Sequence, residues 1–353
     1  MGVRESRRDH GGRGRSALID DFDFIWRDGE RVIRFGVGAL AEAPDHLAAS
    51  GFRNYALLTT PRAEAEVPKV SEDAYLIAYV PDGPVPDAAA AVRERVNDRP
   101  LVALGGGRVI DAAKAIAGAD GLRCAAIPTT LSGAEMTSFH RMPEGVEEYK
   151  LTRPTLVLGA PGLMASQPMP DLAASAMNAL AHAVEALYTP RSNPVARMAA
   201  LRAAELIAAG LAEDEVDRPS LALGALLAGY ASGLAGFAVH HAVSQTIVRI
   251  TGSPHAQTNA IMLPHFVRIM ELRAREPIEQ LGVALGGEKR RGAAAEAVER
   301  LARRAEAGRL SYYGVDREAF PLIVEAVMGR AELQNTPDPP SEGELLGVLE
   351  RAL

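Results

Sequence analysis

Asn178 and His182 stand four residues apart in the Ala-rich stretch Met177-Asn178-Ala179-Leu180-Ala181-His182-Ala183-Val184-Glu185-Ala186. Four residues is about one helical turn, so amide and imidazole share a face. His241 and His255 follow in a second His-containing region. If these segments converge, one amide and three imidazoles line a single pocket. Neutral imidazoles ligate divalent metals. Imidazolium binds a carboxylate or gives up a proton. Closely placed rings repel each other's charge, which limits how many are protonated together. For any one of these rings alone, a satisfied core or surface histidine is the ordinary reading.

A second set of residues suits an anion. In Gly105-Gly106-Gly107-Arg108-Val109-Ile110-Asp111-Ala112-Ala113-Lys114 an apolar strand turns through three glycines into a helix. Glycines permit positive φ and close backbone approach. A helix N-terminus presents free N–H groups and partial positive charge to a pyrophosphate. The spacing is neither that of the usual Rossmann fingerprint nor that of a P-loop, and a tight turn without a ligand fits it too. Asp111 falls in the first helical turn, and Lys114 reads as a solvated helix residue. A second loop, Pro128-Thr129-Thr130-Leu131-Ser132-Gly133-Ala134-Glu135, also leaves a strand. Its hydroxyls suit phosphate, ribose or nicotinamide, at the sheet edge where doubly wound folds bind ligands. Ser132 and Glu135 also have capping-box spacing, which predicts a helix start there. Both readings can hold.

The elements that position these residues are legible in outline. Residues 22–35 alternate apolar and polar and predict a strand or hairpin, followed by a helix over 40–50. Short apolar strands are expected at 55–60, 74–80, 101–104 and 124–127, with helices over 86–96 and 109–117. Nearly all-apolar strands alternating with helices imply a parallel sheet covered on both faces. Beyond Pro168-Met169-Pro170 strand signals fade. Helical segments are expected at 171–188, 195–212, 219–248, 255–273, 291–308, 316–330 and 341–352. The division this predicts is a disordered tail over 1–20, an α/β dinucleotide-binding domain over 21–165 and an all-α domain over 166–353.

Composition bounds the function. A chain of 353 residues is long enough for two domains, and its 48% hydrophobic content supplies their cores. A net charge of −7 argues against general nucleic-acid binding. The single cysteine, Cys124, excludes an internal disulfide framework and a thiolate metal cluster. No apolar run reaches the ~18 residues of a membrane span, and the Arg/Gly-rich start has no secretory h-region. A cytoplasmic protein acting on a small molecule is the expectation.

Three motifs together carry a resemblance. The strand-GGG-x-x-x-D-x-x-K stretch, the P-T-T-x-x-S-G-x-E-M-T loop and the N-A-L-A-H-A-V-E-A-L-Y helix resemble the iron-containing alcohol dehydrogenase superfamily, most of all its maleylacetate-reductase-like branch. Further support comes from His240-His241, the P-H-A-x-T-N-A-I-M-L-P-H run over 254–265, and the tail from Asn335, so the likeness spans roughly 22–353. It implies an α/β dinucleotide-binding domain, a helical domain, a cleft between them, and hydride transfer from NAD(P)H to a carbonyl or a conjugated alkene. It also implies a homodimer. Dehydroquinate-synthase-like cyclases share the architecture. A non-redox lyase or cyclase, or a ligand-binding protein that has lost catalysis, is therefore an alternative.

Carried over by position, Gly105, Gly106, Gly107, Asp111, Thr129, Thr130 and Ser132 hold the cofactor. Thr59 is expected near the adenosine ribose, where Arg62 is either a partner for the 2′-phosphate of NADP or a surface residue, so NAD and NADP both stay open. The Asp and three His of metal-dependent members fall on Asn178, His182, His241 and His255. His241 and His255 have the family's fourteen-residue separation (255 − 241). Asn178 departs from that pattern: an amide offers only a neutral oxygen, so affinity for iron or zinc should fall. The resemblance thus implies a pocket without metal, in which Asn178 and the three rings bind a carboxylated oxo or enone substrate and supply the proton. If a metal is held, His182, His241 and His255 are its ligands. Other departures are Gln245, where many relatives carry His, and Arg108, where they carry Ser. Lys150 and Arg153 fall where the branch has a basic stretch and are candidates for substrate carboxylates.

Overall fold

The computed structural model describes residues 22–212 and 215–353; the expected tail over 1–20 lies outside them. β1 (Phe24–Asp28) and β2 (Arg31–Phe35) form an antiparallel hairpin with Phe24 opposite Phe35. There follow α1 (Ala43–Ala49), β3 (Ala56–Thr59), α2 (Pro61–Glu66), α3 (Pro68–Glu72), β4 (Leu76–Tyr79), α4 (Val85–Val96), β5 (Leu101–Gly105), α5 (Gly107–Asp120), β6 (Cys124–Pro128) and β7 (Leu156–Gly159). The sheet runs β1-β2-β7-β6-β5-β3-β4, and every pairing after the hairpin is parallel.

β3, β5, β6 and β7 are buried at every residue. Side chains alternate between the two faces. Ala56, Leu58, Leu101 and Ala103 pack with α4 and α5. Leu57, Val102 and Leu104 pack with α1, α2 and α3. Both faces are covered, so the strands carry no polar alternation, as expected of a parallel sheet.

The remainder is helical: α6 (Pro161–Met164), α7 (Met169–Tyr188), α8 (Pro194–Gly210), α9 (Arg218–Ala235), α10 (Val239–Thr251), α11 (His255–Arg273), α12 (Arg275–Ala284), α13 (Ala293–Arg303), α14 (Phe320–Met328) and α15 (Glu342–Ala352). α7 is the hub, packed against α8, α9 and α11. Pro170 sits in its first turn, where no intrahelical N–H is needed. From Leu172 to Tyr188 every residue is buried, the signature of a helix enclosed on all sides. Leu172, Leu180 and Leu187 each contribute roughly 1.5–3 kcal/mol by burial. Asn178, His182 and Glu185 in the same helix are costly unless paired. Ile33, Phe35 and Val157 of the sheet join this core, so sheet and bundle share apolar contacts.

The structure departs from expectation in places. The helix expected over 219–248 is two, α9 and α10, bent by 104°. Gly236 makes the corner with φ +76, a left-handed value that favours glycine. Asn335 Nδ2 braces it by donating to the carbonyls of Ala235 and Phe237 at 3.0 and 2.8 Å. β7 was not expected: four residues after a long loop give little signal, yet it fills the sheet between β2 and β6. α12 was likewise not expected. The helix expected over 40–50 begins only at Ala43, after a 3-10 turn at Val37–Leu40. No helix starts at Ser132, so the capping-box reading fails. Ser132 Oγ instead accepts from Ala134 N at 3.4 Å within a turn. Among the described residues no single helix is long and apolar enough to cross a membrane.

Candidate active site

The glycine loop joins β5 to α5 at the C-terminal edge of the sheet. None of Gly105, Gly106 or Gly107 has positive φ, so their role is closeness rather than backbone freedom. A Cβ on Gly105 would lie 2.7 Å from Val109, one on Gly106 3.1 Å from Thr130, and one on Gly107 3.1 Å from Ser132. The loop therefore nests against the second loop, bringing the three glycines, Thr130 and Ser132 together. Thr129 N donates to Gly105 O at 3.0 Å. No side chain caps α5, so its first N–H groups face the crevice free for an anion. These residues fit a dinucleotide pyrophosphate.

Thr59 ends β3 beside this loop but is closed to a ligand. It is fully buried and its hydroxyl donates to Leu104 O at 2.9 Å; the structural role follows from that bond. Arg62 pairs with Glu66 at 3.2 Å on the exposed side of α2. Arg108 pairs with Asp82 at 2.6 Å, which draws it across the surface.

Lys114 is not solvated. It is 0% exposed, and its ammonium donates to Asp111 Oδ1 at 2.8 Å, Phe139 O at 2.9 Å, Ala134 O at 3.0 Å and Thr137 Oγ1 at 3.1 Å. This buried cation pins the second loop to α5. Arg31, also fully buried, pins it from β2 by donating to Glu135 O and Pro154 O, both at 3.0 Å. The Glu135 carboxyl has no hydrogen-bond partner among the described residues, and burial pushes its pKa up to about 7.

Across the crevice α7 and α10 present the rings. Asn178, His182 and Glu185 lie on one stripe of α7 at i, i+4 and i+7. The His182 and His241 ring centroids are 4.6 Å apart. Phe237 stacks on His241 at 4.4 Å and leans on His182 at 5.5 Å. Asn178 Oδ1, His182 Nδ1 and His241 Nε2 are buried without a partner among the described residues. Buried polar atoms are nearly always bonded, so three orphans in one place mark where a ligand belongs.

Glu185 is the residue sequence reasoning missed. Its carboxylate accepts from His241 Nδ1 at 2.6 Å, Ala238 N at 2.9 Å and His241 N at 3.2 Å. That fixes the His241 tautomer, with Nδ1–H bound to Glu185 and Nε2 open as an acceptor. Burial pushes Glu185 up to about 7, against the charge of His240 and these backbone donors. The available signal was its position three residues after His182 in an otherwise apolar helix.

His255 is set apart. It opens α11 and is exposed. Its Nε2 accepts from Asn259 Nδ2 at 3.2 Å, and Asn259 Oδ1 accepts from His240 Nε2 at 2.9 Å. His240 is thus buried and tied to His255 through Asn259.

Of the neutral and charged forms open to these rings, their surroundings oppose the charged one. Burial holds His182 well below the ordinary imidazole range, helped by the charges of His241, His255 and His240. Burial lowers His240 and His241 to about 3. The resting pocket is therefore neutral. Toward a divalent metal the described residues present a weak donor set. It offers an amide oxygen and two neutral nitrogens, and the third ring's Nε2 is occupied. Among the described residues no group of three His, Cys, Asp or Glu side chains is placed to hold a metal.

Lys150 and Arg153 are elsewhere. Arg153 pairs with Glu30 at 3.2 Å and Asp28 at 3.6 Å beside the hairpin, and Lys150 lies 3.9 Å from Glu148 on the surface. Gln245, one turn after His241, accepts from Arg330 Nη2 at 2.8 Å.

This geometry can be set against known proteins. The pattern described as iron-containing alcohol dehydrogenase matches residues 31–158, and that of the C-terminal part of the Fe-containing alcohol dehydrogenase family matches 172–353. The chain belongs to the iron-containing alcohol dehydrogenase family. It thereby falls among the NAD(P)-dependent oxidoreductases. Maleylacetate reductase 2 of Cupriavidus pinatubonensis is 32% identical over 284 residues, 75% of this chain and 79% of the relative. Maleylacetate reductase 1 of Rhodococcus opacus is 38% identical over 197 residues, 52% of this chain and 55% of that relative. The crystal structure of maleylacetate reductase from Agrobacterium tumefaciens superposes with TM-score 0.79 at 25% identity, covering 94% of this chain and 98% of that one. Within the family, this chain resembles the maleylacetate reductases.

Proposed function

We propose that the protein reduces a small carboxylated oxo or enone compound of the maleylacetate type, using NADH or NADPH and no divalent metal. The observation that carries this is the orphaned trio Asn178 Oδ1, His182 Nδ1 and His241 Nε2, opposite the uncapped N-terminus of α5. The uncapped helix end and its glycines hold the pyrophosphate, while Thr129, Thr130 and Ser132 position the remainder. The nicotinamide, when bound, supplies the hydride. Asn178 offers both a donor and an acceptor to the substrate's oxo group. Negative charge arriving on that group raises the affinity of the neighbouring neutral rings for a proton. His182 or His241 then takes up a proton from solvent at its open ring nitrogen and passes it to the substrate, returning to the neutral form, with Glu185 steadying His241.

The test is oxidation of NADH and NADPH in the presence of maleylacetate, before and after exhaustive chelation. Turnover that survives chelation is the expected result. Loss of activity restored by Fe²⁺ or Zn²⁺ sinks the metal-free reading, and no turnover with any oxo acid sinks the substrate class.

A further inference from the structure

A neutral ring pocket cannot itself hold a carboxylate by charge, so a carboxylated substrate needs cations from elsewhere. The stripe of α10 that carries His241 continues through Gln245 and Arg249, at i+4 and i+8. Gln245 Oε1 accepts from Arg330 Nη2, and Arg330 also pairs with Glu332. Arg141 arrives from the opposite side, two residues after Phe139, whose ring packs 4.9 Å from Phe237. Phe237 is the ring stacked on His241. Arg141 lies close enough to Arg249 and Arg330 for their charges, after burial, to pull its pKa down, with Glu332 opposing.

The local balance is three guanidiniums against one carboxylate, Glu332. Arg141 and Arg249 make no side-chain hydrogen bond or ion pair among the described residues. Several arginines elsewhere on this surface have acidic partners, such as Arg93 with Asp120, Arg290 with Glu296 and Arg317 with Glu350. Like charges gathered beside a site without anions cost energy that a bound anion repays. Guanidinium forks suit planar carboxylates in bidentate fashion.

We propose that Arg141, Arg249 and Arg330 form the subsite for the substrate carboxylate remote from the reacting carbon, with Gln245 as the neutral spacer between that subsite and the rings. The inference rests on the reductase reading for the identity of the substrate, and it adds where the second carboxylate lies. It selects dicarboxylates over monocarboxylates and neutral carbonyls. It also replaces Arg153, whose charge is met beside the hairpin, and Lys150, which lies on the surface near Glu148.

Maleate, an unreactive four-carbon dicarboxylate, is the probe, titrated calorimetrically into the full chain with crotonate and dimethyl maleate as comparisons. Arg141 and Arg249 bond to nothing internal, so Arg141→Gln and Arg249→Gln should fold as the parent does. Each is expected to weaken maleate binding about tenfold, in line with a charge-assisted hydrogen bond, while Arg249→Lys recovers part of the loss. The parent should bind maleate at least about tenfold more tightly than crotonate, by the same reasoning. Equal maleate affinity in parent and both Gln variants overturns the subsite, as does dimethyl maleate binding as tightly as maleate. Arginine-dependent maleate binding with no NADH- or NADPH-dependent reduction of maleylacetate defeats the reductase reading and keeps the subsite. Maleylacetate turnover whose KM ignores all three arginines defeats the subsite and keeps the reductase.

Discussion

The two walls of the crevice are built on opposite terms. On the sheet side the second loop is pinned, although the buried Glu135 carboxyl is left without a partner: Lys114 gives its three protons to four acceptors, Arg31 clamps two carbonyls, and each glycine is packed to contact. On the helix side Asn178 Oδ1, His182 Nδ1 and His241 Nε2 are left open. A wall that binds a large, constant ligand gains from being fixed in advance. A wall that reacts needs polar atoms whose partners arrive only with the substrate. Open amide and ring atoms, more than the density of polar residues, mark the wall proposed to react.

Substitutions on the two walls should therefore fail differently. The largest effect is expected from His182→Leu, which should lower kcat by about 10²-fold or more, the usual contribution of a positioned proton donor, while leaving the affinity for NADH close to the parent's. A change in kcat of only a few fold would remove the helix wall from the chemistry. Lys114→Met should cost about 3 kcal/mol in urea denaturation, because it leaves buried acceptors unpaired. Unchanged stability there would mean that the sheet wall is not held by its cation.

A third effect is read against pH. His240 is held at about 3 against an ordinary value of 6.5. Its folded form therefore binds fewer protons than its unfolded form between those values. The stability it contributes is fully present above about pH 6.5 and is lost as pH falls toward 3. His240→Gln keeps a donor toward Asn259 and should flatten the fall between pH 6 and 4 by about 1.4 kcal/mol per pH unit. An unchanged slope would show that this ring is charged in the folded protein. The smallest effect belongs to Gly106→Ala, whose methyl would meet Thr130 at 3.1 Å. It should raise the KM for the cofactor a few fold, at a cost of about 1 kcal/mol, with little change in kcat. A matched fall in kcat would blur the division between the walls.

Much of the sheet was legible because buried parallel strands are apolar without interruption, as at Leu101–Gly105 and Cys124–Pro128. β7 was not, since Leu156–Gly159 is four residues long and is recruited by its neighbours rather than announced by its own pattern. The corner at Gly236 was missed because helical periodicity runs on through it, and the brace comes from Asn335, a hundred residues away. The candidate site was legible where it is local, as in the one-turn spacing of Asn178 and His182. Glu185, Arg31 and the Arg141–Arg249–Arg330 group act through tertiary neighbours. No spacing rule links Arg330 to Gln245 across 85 residues. The protonation of the rings stayed open for the same reason, because burial is a property of the packed chain.

One contact fixes the width between the walls. A Cβ on Gly229 of α9 would lie 2.7 Å from the carbonyl oxygen of Gly133, and one on Gly133 would lie 3.0 Å from the Gly229 Cα and 3.3 Å from His182 Nδ1. Main chain meets main chain there, with no side chain between. The separation of the second loop from α7 and α9 is thus gauged by backbone thickness, the least adjustable dimension a protein has. A single methyl at either position acts as a shim. It spreads the gap at its base, and no repacking of rotamers can take that up.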